Sequence, residues 1–201
     1  FHPNPLEPKL VGELVQKYKC SILIGTSTFL QGFIRRCTPE QLQSLVFVVC
    51  GAEKLSPRVR IAFKEKFGVE PMEGYGTTEC APIVSFNLHN ISSPGFFTDY
   101  LKIGTIGQPA AGIMTRIVDP DTGAPLPLGE AGLLEVKGPN IMLGYLGQPE
   151  KTAEVIRDGW YSTGDIATMD EDGFITITDR LARFSKIGGE MVPHTKVEEV
   201  L

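Results

Sequence analysis

The apolar run Leu45–Cys50, which Gly51 ends, constrains the fold more than any other feature of the sequence. A strand with Val, Phe or Leu at nearly every position is typical of a parallel sheet that is buried on both faces. Short apolar segments at 21–24 and 69–73 and helical periodicity at 6–19 and 26–36 alternate around it. The first half is therefore predicted to be an α/β unit with a parallel sheet.

One more helix is predicted after Leu45–Cys50. Ser56 and Pro57 are residue types that favour the N-cap and the first helical position, and Gly68 favours the end. The spacing predicts that this helix turns a common apolar side toward the sheet, formed by Val59, Ile61, Ala62 and Phe67.

The second half has a different pattern, in which short strands alternate with turn sequences rich in Asp, Gly and Pro. Strands are predicted at 114–118, 132–137 and 174–178, with turns at 119–123, 127–130 and 170–173. This spacing indicates a small antiparallel β-barrel or sandwich. We therefore expect an α/β subdomain over 1–103, a β-barrel subdomain over 104–178, and a hinge with the start of a lid domain over 179–201.

Composition excludes several classes of protein. With 42% hydrophobic and 21% charged residues, the chain is globular rather than disordered. The net charge is −5 and no long basic stretch occurs, so a nucleic-acid partner is not expected. No apolar run reaches the roughly 18 residues that a membrane-spanning helix needs. The four Cys and three His lack metal-ligand spacing, so no metal site is expected from them. We expect this segment to be cytoplasmic and internal to a longer protein.

The densest polar motif follows the third predicted strand and comprises Glu73, Gly74, Tyr75, Gly76, Thr77, Thr78 and Glu79. Glycines let the backbone approach a ligand closely. The threonines offer hydroxyls, Tyr75 offers a flat face for a base, and Glu79 offers a hard oxygen for Mg²⁺. The alternative is a polar turn between a strand and a helix. The motif is neither a dinucleotide fingerprint nor a Walker A loop.

Three further motifs are site candidates. The segment 51–55 follows the buried strand and includes Gly51, Ala52 and Glu53. Asp165 ends the segment 158–165 and, as an acidic residue, suits the two hydroxyls of a ribose. Arg180 suits phosphate or ribose oxygens and precedes a segment with Lys186, Gly188 and Gly189. The alternatives are an ordinary strand-to-helix loop, a hairpin carboxylate and a surface ion pair.

In this order and spacing, the motifs resemble those of the adenylate-forming (AMP-binding) superfamily, which includes acyl-CoA synthetases, peptide-synthetase adenylation domains and luciferases. The family's Y-G-x-T-E is similar to Tyr75–Glu79, its G-A-E-x-L to Gly51–Leu55, its W-Y-x-T-G-D to Trp160–Asp165, its G-x-x-x-x-x-G-Y to Gly138–Tyr145 and its hinge arginine to Arg180. The amino-acid sequence at 78–82 and 186–192 most resembles that of acyl-acyl-carrier-protein synthetases, which are often fused to a 2-acylglycerophosphoethanolamine acyltransferase.

The resemblance implies a ligase that uses ATP and Mg²⁺ to activate a fatty acid as an acyl-adenylate, and then transfers the acyl group to acyl carrier protein or CoA. It implies that Tyr75 stacks on adenine opposite residues 51–53, with Glu73, Gly74, Gly76 and Thr77 as neighbours. Thr78 would contact the α-phosphate and Glu79 the Mg²⁺. Asp165 would hold the ribose, with Arg180 nearby, and Lys186, Gly188 and Gly189 would lie near the pantetheine path.

The sequence departs from the family pattern in three ways. The phosphate loop would lie before Phe1, the catalytic lysine of the lid would lie after Leu201, and Ala182 stands where the hinge usually has Asp or Lys. The chain by itself is therefore expected to be inactive. It also has no H-x4-D acyltransferase motif. A non-catalytic nucleotide-binding or interaction fragment and a luciferase-like oxygenase stay open as alternatives, as does membrane attachment at the cytoplasmic face of an inner membrane.

Overall fold

The computed structural model describes residues 4, 6–93, 96–181, 184–187 and 190–193. Contacts between residues divide the chain into two compact units. The first comprises 1–75 and 87–104, and the second comprises 76–86 and 105–201. The assignment of 179–201 to a hinge and a lid stays a prediction.

Helices and strands alternate along the first part of the chain, and strands predominate in the remainder. The first part contains α1 (Pro8–Tyr18), β1 (Ile22–Gly25), α2 (Ser27–Arg36), α3 (Pro39–Leu42), β2 (Phe47–Cys50), α4 (Pro57–Phe67), β3 (Pro71–Gly76), β4 (Ile83–Phe86), β5 (Ile91–Ser93) and β6 (Phe96–Thr98). The remainder contains β7 (Gln108–Pro109), β8 (Met114–Val118), β9 (Gly132–Lys137), α5 (Pro149–Val155), β10 (Ile156–Arg157), β11 (Trp160–Met169), β12 (Ile175–Arg180), β13 (Phe184–Ile187) and β14 (Glu190–Pro193).

The first unit is the predicted α/β structure. Strands β1 and β2 are parallel with Leu23 opposite Val48, and β2 and β3 are parallel with Val49 opposite Met72. Helices α1, α2 and α4 pack into one apolar cluster with the sheet, and its fully buried members include Leu30, Val48 and Phe63. The strand-and-helix alternation that the sequence predicted is therefore confirmed.

Two details of that prediction are wrong. Ile61 is 46% exposed, and Phe63 is buried in its place, because α4 turns residues 59, 63 and 67 to one side. Strand β2 is not fully buried on both faces, since Phe47 and Val49 are only half-buried. Val48 and Cys50 belong to the apolar cluster, whereas Phe47 and Val49 alternate onto the other face of the strand.

The second unit is built on an antiparallel sheet, as predicted. Its strands lie in the order β10-β11-β9-β8, and β12 also pairs with β11. Strands β8 and β9 have the predicted bounds, and β12 begins at Ile175 and continues to Arg180. Strands β4 and β7 also pair antiparallel, outside this sheet. The apolar side chains of the curled sheet, among them Leu134, Val136 and Ile166, are fully buried.

Two of the three predicted turns of the second half, at 119–123 and 170–173, are stabilised by side chains, and the turn at 127–130 is closed by the backbone N–H of Glu130 donating to the carbonyl of Pro127. The carboxylate of Asp119 accepts hydrogen bonds from the backbone N–H groups of Asp121 and Thr122. The carboxylate of Asp170 does the same for Asp172 and Phe174. Short polar side chains that bond to nearby backbone favour such turns. In the described part of the chain, no helix combines the length and the apolar character that crossing a membrane requires.

Candidate functional site

A tight turn follows β3 and places Glu79. The backbone N–H of Thr77 donates to the carbonyl of Pro82 at 2.9 Å, and the N–H of Cys80 donates to the carbonyl of Thr77 at 3.0 Å. A Cβ atom at Gly76 would overlap the carbonyl oxygen of Pro82. The glycine is therefore required by the close approach of two backbone segments. Thr78 is exposed on this turn, and Glu79 is half-buried.

The Glu79 carboxylate is surrounded by hydroxyl groups. The Tyr145 hydroxyl donates to Glu79 Oε1 at 2.8 Å, and the backbone N–H of Met142 donates to the Glu79 carbonyl at 2.8 Å. Burial alone would raise the pKa of Glu79, but its own backbone N–H and the neighbouring hydroxyls outweigh this and lower the pKa. The pKa of Tyr161 is raised, first by burial and then by the negative charge of Glu79. Glu79 is therefore ionised at neutral pH, as a metal ligand must be.

This environment fits a Mg²⁺ ion that a nucleotide brings with it. Within the described residues, no group of three His, Cys, Asp or Glu side chains is placed to hold a metal. Proteins commonly bind Mg²⁺ through one or two carboxylates together with substrate phosphates and water. A single ionised and accessible carboxylate is sufficient for that mode of binding, and Glu79 is such a group.

Asp165 lies in β11 next to a bulge. The pairing of β11 with β9 is interrupted between Ser162 and Ile166, and Gly164 has a φ of 75°. The Thr163 hydroxyl donates to the carbonyl of Leu134 at 2.9 Å and accepts the N–H of Asp165 at 3.1 Å. Bulges redirect side chains and are frequent beside active sites. The segment 160–165 is therefore strand, and the hairpin turn precedes it at 158–159.

Asp165 and Arg180 are brought together by the sheet. They are opposite each other in the β11–β12 pairing, and Arg180 Nε lies 3.2 Å from Asp165 Oδ1. The carboxylate is buried while the Arg180 side chain is 77% exposed. The guanidinium supplies the opposite charge that a buried carboxylate requires. Its own exposure leaves it accessible to a ligand.

In the first unit, the loop after β2 is fixed by Glu53. Its carboxylate accepts the backbone N–H of Thr28 at 2.6 Å, in the first turn of α2. That N–H and the Thr26 hydroxyl lower the pKa of Glu53. Ala52 has a φ of 67°, the left-handed conformation that the tight turn requires. The Glu53 carboxylate is thus engaged by the protein itself.

Glu73 also fixes the loop that follows β2, through a hydrogen bond to its backbone. The Glu73 carboxylate accepts the backbone N–H of Leu55 at 3.2 Å, and burial raises the pKa of this carboxyl. The site of a Cβ on Gly51 lies 3.4 Å from the carbonyl oxygen of Gly74, which is ordinary contact. The structure therefore brings residues 51–55 and 73–74 together, and Tyr75 follows them half-buried at the end of β3.

The remaining predicted site residues lie near the end of the chain. The backbone of Lys186 lies in β13, opposite Met191 of β14. Gly188 and Gly189 lie outside the described residues, as does Ala182 of the predicted hinge.

Sequence reasoning missed three residues that support the site. Tyr145 and Asn140 contact the turn that carries Glu79, and Asn87 contacts the end of β3. Tyr145 lies in the G-x-x-x-x-x-G-Y motif, to which no role had been assigned. Nothing in the sequence links Asn87 to Glu73, because their contact depends on the return of the chain after β4.

Comparison with known proteins assigns the chain to a family. A family model described as AMP-binding enzyme matches residues 1–146. The chain belongs to this AMP-binding family. It is 40% identical to a long-chain-fatty-acid–CoA ligase of Salmonella typhimurium over 98% of this chain and 34% of the ligase. It is 34% identical to a feruloyl-CoA synthase of an Amycolatopsis species, again over 98% of this chain and 39% of that protein.

Solved AMP-binding structures agree with this assignment. The anthranilate CoA ligase in complex with anthranoyl-AMP matches with a TM-score of 0.81 and 27% identity, over 96% of this chain and 36% of its own. ATP-bound MatB from Rhodopseudomonas palustris matches with a TM-score of 0.80 and 29% identity, over 96% of this chain and 37% of its own. The chain thus spans about a third of the length of the relatives it matches. The predicted fold class, part of the large domain of an adenylate-forming enzyme, is confirmed.

Proposed function

We propose that this chain is part of an ATP-dependent acid–thiol ligase that activates a fatty acid and transfers the acyl group to CoA. In the first step a carboxylate oxygen attacks the α-phosphorus of ATP, and pyrophosphate leaves. In the second step a thiol sulfur attacks the acyl carbon, and AMP leaves. The similarity to long-chain-fatty-acid–CoA ligases supports the fatty acid and CoA. Acyl carrier protein as acceptor, and phospholipid acylation as the use of the product, are the finer alternatives that residues 78–82 and 186–192 suggest.

The observation that carries the proposal is the ionised Glu79 on its closed turn. Attack of one anion on another requires charge neutralisation and alignment more than a covalent group of the enzyme. Bound Mg²⁺ supplies that neutralisation on the phosphates. Glu79 would hold the ion, and the exposed hydroxyl of Thr78, on the same turn as Glu79, would donate to the α-phosphate.

We assign the adenosine part of ATP to residues of the 73–79 motif and of the 51–55 segment. Tyr75 stacks on adenine, and Gly74, Gly76 and Thr77 form its backbone surroundings. Because the Glu53 carboxylate is engaged by α2, we propose that the backbone of residues 51–53 faces the base. Glu73 acts indirectly, by fixing that loop through the N–H of Leu55.

The ribose is assigned to Asp165. Its carboxylate accepts both ribose hydroxyls, and Arg180 stabilises the charge beside it. From the family resemblance alone, we assign Lys186, Gly188 and Gly189 to the path of the pantetheine thiol in the second step.

Two substitutions in the full-length protein test these roles. Asp165→Ala should weaken ATP binding at least tenfold, since each charge-assisted bond is worth about 1.5–3 kcal/mol and 1.4 kcal/mol is one decade. Asp165→Asn, which keeps the shape, should do the same to a lesser degree. Glu79→Gln should lower fatty-acid-dependent ATP–pyrophosphate exchange at least tenfold and raise the Mg²⁺ requirement. Titration calorimetry and isotope exchange measure the two effects.

Glu130→Gln is the matched control for Glu79→Gln, because Glu130 is exposed on a turn of the same unit. It should leave both measurements unchanged. Unaltered ATP affinity in Asp165→Ala would remove the ribose assignment. Thioester formation with purified CoA and acyl carrier protein, compared at equal thiol concentration, decides the acceptor.

A further inference from the structure

The loop Gly138–Tyr145 contacts the Glu79 turn at both the backbone and the side chain. The Met142 N–H donates to the Glu79 carbonyl, and the Tyr145 hydroxyl donates to Glu79 Oε1, each at 2.8 Å. Asn140 Nδ2 donates to the carbonyls of Cys80 at 2.6 Å and Ile83 at 2.8 Å. One loop therefore holds the Glu79 side chain and the backbone from the middle of the turn to its end.

Tyr145 is itself held in place by α5. Its backbone N–H donates to the Thr152 hydroxyl at 2.9 Å, and that hydroxyl donates to the carbonyl of Gln148 at 2.9 Å. The Lys151 ammonium lies 4.9 Å from the centre of the Tyr145 ring. Gly144 has a φ of 151°, and a Cβ there would lie 2.8 Å from Thr152 Cγ2. The loop can approach Thr152 this closely only with a glycine at that position.

We propose that Tyr145 is a positioning residue that orients the Glu79 carboxylate for a divalent cation. The inference rests on the proposed function, in which Glu79 binds the metal. A glutamate that must be ordered on binding loses side-chain entropy, and a hydrogen bond made beforehand removes part of that cost. Partners of metal ligands commonly change metal affinity 10–100-fold.

The chemistry of the partner suits this role. A lysine or arginine at the same place would neutralise the carboxylate and weaken its attraction for a cation. A phenol hydroxyl fixes the orientation of one oxygen and leaves the full negative charge on the group. A phenol is protonated near neutral pH, so the Tyr145 hydroxyl can donate to Glu79 Oε1.

Tyr145→Phe tests the inference, because it removes only the hydroxyl and keeps the ring beneath Lys151. We expect Mn²⁺ to bind the full-length protein–ATP complex about tenfold more weakly, as measured by water-proton relaxation. The Mg²⁺ concentration for half-maximal pyrophosphate exchange should rise by a similar factor, while the rate at saturating Mg²⁺ stays within about twofold. Tyr18→Phe is the matched control, since Tyr18 is exposed and also has a lysine over its ring.

The double variant Glu79→Gln with Tyr145→Phe separates the two proposals. If Tyr145 acts through Glu79, the double variant should bind Mn²⁺ no more weakly than Glu79→Gln alone. Unchanged Mn²⁺ affinity in Tyr145→Phe, with weakened affinity in Glu79→Gln, would overturn the positioning role and leave the proposed function intact. Unchanged affinity in both would overturn the metal role of Glu79 itself.

Discussion

Asn87→Asp tests how the motif at the end of β3 is held. Asn87 is 1% exposed. Its Nδ2 donates to the carbonyl of Glu73 at 3.1 Å, and its Oδ1 accepts the backbone N–H of Lys102 at 2.9 Å. The substitution keeps the volume and the acceptor. It replaces the donor with an oxygen that faces a carbonyl, and it introduces a charge into a buried place.

The magnitude follows from those two changes. The lost hydrogen bond costs about 1 kcal/mol. Burial of the introduced carboxylate raises its pKa, and a rise of about two units corresponds to roughly 2.7 kcal/mol at 1.36 kcal/mol per unit. At pH 7 the free energy of unfolding should therefore fall by about 3–4 kcal/mol.

The sign of the pH dependence makes the prediction specific. A carboxyl whose pKa is raised in the folded state destabilises the protein at high pH, and stability returns as the pH falls through that raised value. Burial should raise the pKa of the introduced carboxyl well above its ordinary value of about 3.9. When it is protonated, its O–H also replaces the donor to the Glu73 carbonyl. Most of the loss should thus disappear between about pH 7 and pH 4.

Urea unfolding of Asn87→Asp and the parent at several pH values measures the difference. Gln108→Glu is the matched control, because the Gln108 amide also donates to a backbone carbonyl, that of Asp172 at 2.8 Å, but in an exposed place. The control should lose well under half as much stability. A loss below about 1 kcal/mol at pH 7, or one that does not change with pH, would refute the account of Asn87.

Two further substitutions test an ion pair and a close backbone approach. Burial alone would raise the pKa of Glu70, but hydrogen bonds from two cations of α4 lower it. The free energy of unfolding of the parent should therefore exceed that of Glu70→Gln by about 1 kcal/mol near pH 6. Because the pKa is lowered, urea unfolding should show this advantage above about pH 5 and its loss below about pH 3. Gly76→Ala should cost roughly 1–3 kcal/mol, since the new Cβ overlaps the carbonyl of Pro82. Gly32→Ala in α2 meets only ordinary contacts and should be neutral or stabilising, and equal losses in both would contradict the steric explanation.

Some residues of the site could be predicted from local motifs, whereas the roles of others depend on contacts between distant segments. Tyr75, Glu79 and Asp165 were predicted from motif and spacing, and the structure places them at a strand end, a closed turn and a bulge. Their assignment to adenine, metal and ribose stays a proposal. Tyr145 and Asn140 could not be predicted in their roles, since each acts on a turn about 60 residues earlier in the chain.

Local structure in this chain follows from the amino-acid sequence alone. Apolar period, capping residues and turn residues act over a few positions. They specified a helix at 26–36, α4 from Pro57 to Gly68, and strands β8 and β9 with their observed bounds. The resemblance to the family then suggested a candidate ligand for each motif.

How the carboxylates are used depends instead on the tertiary structure. The pKa of Glu79 is lowered in part by hydroxyls from Tyr145 and Tyr161, and the environment of Asp165 depends on pairing with Arg180. The same residue type is engaged by the protein at Glu53 and has a raised pKa at Glu73. A carboxylate's charge and orientation are set by burial and by donors within a few ångströms. Those donors come from distant segments, so local sequence does not contain them.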